Sequence, residues 1–291
     1  MKRILITGAN SYIGTSFEQY ISAFGNNYSV DTIDMIDGSW KSSDFSPYDS
    51  VFHVAGIAHS DVNEADEETK ALYYKVNRDL TIETAKKAKN EGVKQFVFMS
   101  SAIIYGKSSK IGQDKLITRQ TPPSPENFYG DSKLKAEEGI LALNDQNFCV
   151  VILRPPMIYG KNSKGNYVTL SKYAKKLPFF PDIENKRSML YIENLCEFIR
   201  LMVENNEQGI FFPQNNEYVK TSEMVKIISE LNGKNIKLVR VFNPFLRLFG
   251  KKVDLISKVF GNLRYDMEIS KYKEPYNVYD FKESLKRTEG I

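Results

Sequence analysis

Apolar runs of five to seven residues alternate with helical stretches through the first half of the chain. Residues 3–7 (RILIT), 29–34 (SVDTID), 50–55 (SVFHVA), 95–100 (QFVFMS) and 148–154 (FCVVILR) read as buried strands. Residues 15–24, 73–90 and 132–143 carry helical periodicity between them. Strand–helix alternation of this kind predicts an α/β fold, a doubly wound parallel sheet of Rossmann type covered on both faces. Ligands bind such sheets outside the carboxyl ends of the strands. After Gly160 the alternation weakens and Gly, Asn, Pro and basic residues take over to Asp182, which predicts a smaller substrate-binding lobe. The expected division is 1–160 for the dinucleotide-binding domain, with a return segment near 188–207, and 161–187 with 208–291 for the lobe. No internal repeat points to a solenoid.

Composition narrows the class. The 291 residues are 42% hydrophobic, enough for a buried core. Met1-Lys2-Arg3 runs directly into an apolar strand, and no apolar run is long enough to span a bilayer, so a cytoplasmic protein is expected. Cys149 and Cys196 stand far apart without metal-spaced neighbours, which predicts structural thiols, no disulfide framework and no metal. Net charge is only +4, with Lys and Arg accumulating toward the C-terminus. No nucleic-acid motif accompanies them, so no nucleic-acid partner is expected; a diphosphate-bearing substrate suits the bias.

Thr7-Gly8-Ala9-Asn10-Ser11-Tyr12-Ile13-Gly14 lies between the first strand and helix, where free amides and the helix dipole can hold a pyrophosphate. Gly8 permits the tight turn and Gly14 close helix–strand packing, while Ser11 replaces the middle glycine of the usual fingerprint. Its hydroxyl can donate to phosphate. Asp34, about 20 residues on, stands where a carboxylate holds the adenosine ribose. That favours NAD(H), with NADP(H) the alternative; Asp31 and Asp37 compete for the role and Lys41 can offset the charge.

Tyr129 and Lys133 are four apart, on one helix face, and the ammonium is expected to lower the phenol's pKa and make Tyr129 a general acid/base. Such a pair is common by chance. Here Ser100-Ser101-Ala102-Ile103-Ile104-Tyr105-Gly106 closes the preceding strand and brings hydroxyls to the same sheet edge, where a serine can donate to a carbonyl or developing alkoxide.

With these motifs in this order, the sequence resembles the extended short-chain dehydrogenase/reductase family, which includes nucleotide-sugar 4-epimerases, 4,6-dehydratases and 4-ketoreductases. The resemblance covers nearly the whole chain. It implies Ser101 as catalytic serine with Ser100 as fallback, Tyr129 as acid/base, and Lys133 as its activator and nicotinamide-ribose ligand. Val54-Ala55-Gly56 resembles the family's fourth-strand turn beside the cofactor, and Asn77 a structural asparagine. Pro156, in Arg154-Pro155-Pro156-Met157-Ile158-Tyr159-Gly160, is similar to the family's wall behind the nicotinamide. Asn166 and Arg187 match positions that hold the nucleotide diphosphate. The family's dimers imply a homodimer.

Dehydratases of the family follow the catalytic hydroxyl with Asp-Glu, whereas Ala102 and Ile103 cannot move protons, so dehydration is not expected. The stretches RPPMIYG, SKGN, LPFF and NKRS look closest to reductases of UDP-linked 2-acetamido-2,6-dideoxy sugars for surface polysaccharides, and Leu80 replaces a glycine common in epimerases. The reading is therefore reduction of a UDP-linked 4-hexulose; the alternatives are a 4-epimerase and, more distantly, a non-catalytic dinucleotide sensor.

Four features stand outside this scheme. His53 lies within a strand and is expected to pack, while His59 is a candidate neighbour of the substrate. Trp40 is a candidate for lining the adenine pocket. Between 234 and 265, Phe242, Phe245, Leu246, Leu248 and Phe249 alternate with Arg240, Arg247, Lys251 and Lys252. Helices packed over the lobe with snorkelling basic side chains are the preferred reading, and a basic amphipathic surface touching a membrane is the alternative.

Overall fold

The computed structural model describes residues 1–58, 66–249 and 254–291; His59, Lys251 and Lys252 lie outside the described residues. In chain order the strands are β1 Lys2–Thr7, β2 Tyr28–Ile33, β3 Ser50–His53, β4 Gln95–Met99, β5 Leu116–Ile117, β6 Cys149–Leu153, β7 Met157–Tyr159, β8 Phe179–Pro181, β9 Met189–Tyr191, β10 Gly209–Phe211, β11 Lys237–Val239 and β12 Arg264–Tyr265. The α-helices are α1 Tyr12–Ile21, α2 Glu67–Tyr73, α3 Leu80–Asn90, α4 Phe128–Leu141, α5 Asn166–Lys176, α6 Ile192–Glu204, α7 Thr221–Leu231, α8 Asn243–Phe249, α9 Asp254–Phe260 and α10 Phe281–Glu289.

The chain divides into two compact units. The first comprises Met1–Gly106, Pro122–Pro155 and Leu195–Pro213. Its parallel sheet has the order β10-β6-β4-β3-β1-β2. All five residues of β4 are buried and four of five in β6, as befits strands covered on both faces. Because β2 and β3 flank β1, the order reverses there, and the carboxyl ends of β1 and β3 open the crevice in which doubly wound sheets bind ligands. Residues 34–49 hold only a short 3-10 turn at Ser39–Ser42, so the strand that leads into Val54-Ala55-Gly56 is the third along the chain, as its place among the apolar runs predicts.

Trp40 is 1% exposed and packs with Leu5, Phe45, Val51 and Phe96 in the core, which corrects its placement in an adenine pocket. His53 packs as expected: it stacks on Phe96 and its ring nitrogens meet the hydroxyls of Thr7 at 2.7 Å and Thr81 at 3.0 Å. Cys149 and Cys196 are free thiols.

The second unit comprises Lys107–Thr121, Pro156–Asn194 and Gln214–Ile291. Three parallel pairs, β5 with β12, β7 with β9 and β8 with β11, are held by helices α5 and α7 to α10. Its core is centred on Tyr159, which stacks on Tyr167 and shares a 2.6 Å hydrogen bond with Ser284. The division departs from the sequence expectation at three places. Lys107–Thr121 and Pro156–Gly160 belong to the second unit, and the return to the first runs Leu195–Pro213 rather than 188–207. The cause is strand pairing: β9 at Met189 joins β7, whereas α6 and β10 complete the six-stranded sheet.

Candidate active site

The loop after β1 is built for close approach. Gly8 has φ +119°, and a Cβ there would fall 2.7 Å from the Ala55 nitrogen, so only glycine lets the β1 and β3 ends meet. Asn10 also adopts a positive φ, +61°. Ser11 caps α1 by accepting the Gly14 N–H at 3.1 Å, which leaves its hydroxyl proton to donate outward. A Cβ at Gly14 would lie 2.5 Å from that Ser11 oxygen. Tyr12 and Ile13 form the first turn, whose amides have no intrahelical acceptor. Across the crevice, Val54 and Ala55 donate their N–H groups to the Thr7 carbonyl. Gly56 abuts both Asn77 Oδ1 and Lys133 Nζ, at 3.0 and 3.2 Å from where its Cβ would be. A backbone cradle stripped of side chains at Gly8, Gly14 and Gly56 fits a dinucleotide.

Asp34 directly follows β2, is exposed, and accepts the Ile36 N–H at 2.8 Å. Its rivals are engaged elsewhere: Asp31 with Tyr48 and Arg3, Asp37 with Ser39. Lys41 is bound to Glu83 at 2.6 Å rather than offsetting Asp34.

The candidate catalytic side chains converge at the end of β4. Asn127 caps α4 by accepting the Gly130 N–H at 2.8 Å. Gly130 brings the helix against the 3-10 turn Ala102–Tyr105; a Cβ there would sit 2.9 Å from the Ile103 carbonyl oxygen. This contact puts the Tyr129 hydroxyl in hydrogen-bond contact with Ser101, whose Oγ also accepts the Ile103 N–H at 3.2 Å. Ser100, the fallback, is buried and donates to Glu137. Of the two serines, only Ser101 meets the phenol.

Lys133 is buried, lies 4.7 Å over the Phe98 ring and donates to the Met99 carbonyl at 2.9 Å. Burial pushes its ammonium down to about 8, against the attraction of Glu137. The expectation that Lys133 lowers the Tyr129 pKa is corrected: burial, then Tyr73, push the phenol up to about 12, and the Ser101 hydrogen bond only partly opposes them. The ammonium is committed to Met99 instead.

Two supports were not legible as such in the sequence. Glu137 and Arg154, both buried, form a fork of hydrogen bonds at 2.5 to 3.1 Å, and Arg154 donates on to Tyr105 at 2.6 Å. The chain Ser100–Glu137–Arg154–Tyr105 fixes the end of β4 from below. Asn77 sits in a π-helical turn, Tyr74–Asp79, between α2 and α3. It accepts the Ile57 N–H, donates to the Ile57 carbonyl and to Ser132 Oγ, and so ties the β3 loop to α4.

Three nominated residues belong to the second unit. Pro156 directly precedes β7. Asn166 is exposed at the start of α5, after Gly165 at φ +94°. Arg187 is 7% exposed, and its side-chain partners are neutral: the Gly261 carbonyl at 2.9 Å and Ser108 at 3.4 Å. Burial pushes its guanidinium down to about 10.

Over 295 residues the chain is 30% identical to the UDP-glucose 4-epimerase of Vibrio cholerae, covering 93% of this chain and 89% of the relative. It is 26% identical to the N-acetyl-alpha-D-glucosaminyl-diphospho-ditrans,octacis-undecaprenol 4-epimerase of Escherichia coli O157:H7, covering 89% and 81%. The fold matches that of the Bacillus cereus UDP-glucuronic acid 4-epimerase solved with NAD, with a TM-score of 0.74 at 18% identity over 99% of this chain and 97% of the other. Residues 4–212 match the NAD dependent epimerase/dehydratase family, and the chain belongs to that family.

Proposed function

We propose that the protein reduces the 4-keto group of a UDP-linked 2-acetamido-2,6-dideoxy-4-hexulose, using NAD(H) in preference to NADP(H), in the cytoplasmic synthesis of surface polysaccharide precursors. The observation that carries this reading is the packing of the first turn of α4, which bears Tyr129 with Lys133 one turn on, against the 3-10 turn after Ser101 through Gly130. A bound reduced nicotinamide supplies hydride. Tyr129 gives its proton to the carbonyl oxygen as the alkoxide develops, and Ser101 donates a hydrogen bond to the same oxygen. Lys133 holds the nicotinamide ribose, and Pro156 stands behind the ring. The Gly8–Gly14 loop and Val54-Ala55-Gly56 hold the pyrophosphate, and Asp34 the adenosine ribose. Arg187, a buried cation with neutral partners, is suited to the substrate diphosphate, with Asn166 as an amide donor. We assign a homodimer by the family resemblance.

A second reading, NAD-dependent 4-epimerisation, is favoured by the two epimerases among the relatives. An epimerase takes a proton from the sugar hydroxyl and then returns one, whereas a reductase only gives one, so both reactions call on Tyr129. The deciding experiment follows reduced-nicotinamide absorbance with the UDP-4-keto-6-deoxy-N-acetylhexosamine and NADH or NADPH. Stoichiometric oxidation, faster with NADH, supports the reductase. Interconversion of UDP-N-acetylglucosamine without added cofactor, and no oxidation, sinks it and establishes the epimerase.

A further inference from the structure

The second unit carries an apolar ridge in strongly basic surroundings. Strands β8 and β11 pair in parallel with Phe179 opposite Lys237. The rings of Phe179 and Phe242 stack with centroids 5.7 Å apart, yet they remain 47% and 41% exposed. Leu177, Val241 and Phe245 are exposed beside them in the chain, at 42%, 76% and 60%. The sequence preference for helices packed down over this lobe fails at Phe242 and Phe245, which are turned substantially to solvent.

The segments that carry the ridge are biased toward basic residues. Residues 161–180 contain five lysines and no Asp or Glu, and residues 234–249 contain four basic residues and no Asp or Glu. The whole chain is nearly balanced, with 40 basic and 36 acidic residues, so the asymmetry is local. Lys175 is paired with Glu289 and Arg240 with Asp182. Lys172, Lys176 and Lys237 are exposed and form no ion pair among the described residues. These two segments are the ones that β8–β11 pairing and the phenylalanine stack join.

An aromatic and aliphatic ridge in a field of lysines is complementary to an anionic bilayer: the ridge enters the headgroup boundary and the ammonium groups meet lipid phosphates. A second copy of the same face would oppose lysines to lysines, a costly juxtaposition. Among the described residues no helix is long and apolar enough to cross a membrane, so the contact lies on the surface. We infer that the face built on Phe179 and Phe242 docks the protein on an anionic lipid surface. This goes beyond the proposed reaction and does not depend on it.

The test is co-sedimentation of the full chain with vesicles of phosphatidylcholine alone or mixed with phosphatidylglycerol. Binding is expected to be roughly tenfold tighter with phosphatidylglycerol and to weaken as salt is added. Phe179→Ser with Phe242→Ser is expected to lower vesicle binding roughly tenfold while NADH binding stays unchanged. Lys172→Glu with Lys176→Glu, at exposed helix positions that do not threaten folding, is expected to abolish the phosphatidylglycerol preference. Equal partition to both vesicles, or charge variants that bind like the parent, overturns the inference. So does a dimer that dissociates on the phenylalanine substitutions, because the face then joins two copies of the chain.

Discussion

Tyr129 is held as a phenol, and the cause is its surroundings rather than its spacing from Lys133. Tyr73 packs edge-on against it at 5.8 Å, and burial with that neighbour outweighs the Ser101 hydrogen bond. Tyr129→Phe should cut turnover by about 10²–10⁴-fold, the range for a lost general acid, and leave NADH binding intact. Titration of nicotinamide fluorescence against single-turnover rates separates the two; unchanged turnover would remove Tyr129 from the chemistry, and NADH binding with no turnover in the parent would point to a dinucleotide sensor. Lys133 leads to a pH prediction. Its ammonium is depressed to about 8, so the charged form prevails below pH 8 and is lost above it. NADH affinity should therefore weaken as pH rises through 8, and Lys133→Met should flatten the profile. At this scale the sequence nominated Ser101, Tyr129 and Lys133 by their order and spacing, and they stand at the end of β4 and in the first turns of α4. The direction of the Tyr129 shift was hidden, because Tyr73 arrives from a helix 56 positions earlier in the chain.

Among the elements that bear the nominated catalytic residues, α4 starts with little room to shift. Its first turn rests on the Ile103 carbonyl through Gly130, and Asn127 fixes where it begins. Gly130→Ala forces the helix start away from the turn that bears Ser101. A displacement near 1 Å can cost about 10²-fold in rate, so the variant should lose turnover on that scale while the cofactor loop, on other elements, still binds NADH. The strands of the sheet were legible because both faces are covered and the runs are continuously apolar. The π-helical turn at Tyr74–Asp79 was not: it inserts one residue into an otherwise regular helical pattern, and only the three hydrogen bonds of Asn77 show what it achieves. Over the connection 34–49, Trp40 and Phe45 supply core volume without forming a strand.

For the molecule as a whole, the buried His53 sets an acid limit. Its pKa falls to about 3 through burial, with Lys133 also disfavouring the charged ring. An unfolded histidine titrates near 6.5, so the stabilisation is complete above that pH. Between 6.5 and about 3 the unfolded chain gains a proton that the folded one refuses, and stability should fall by about 1.4 kcal/mol per pH unit from this group. Urea midpoints across that window, compared with His53→Gln, isolate it from the carboxylates; parallel slopes would remove the histidine from the account. The sequence conveyed the two-part division but not its threading. The excursion at Lys107–Thr121 and the return at Leu195–Pro213 depend on partners far along the chain, such as β12 for β5 and β6 for β10.

That threading also constrains how the polypeptide can be made. As the chain leaves the ribosome, the six-stranded sheet lacks its last edge strand until Phe211 has emerged, and β5 waits for Arg264 and Tyr265. Neither unit is complete when the segment encoding the cofactor loop and triad has been translated. A gene fragment ending near residue 160 would leave β6 as an open apolar edge, prone to pairing with other nascent chains. The first unit is complete only at Pro213 and the second only once Arg264 and Tyr265 have emerged, so a cut near residue 160 isolates neither.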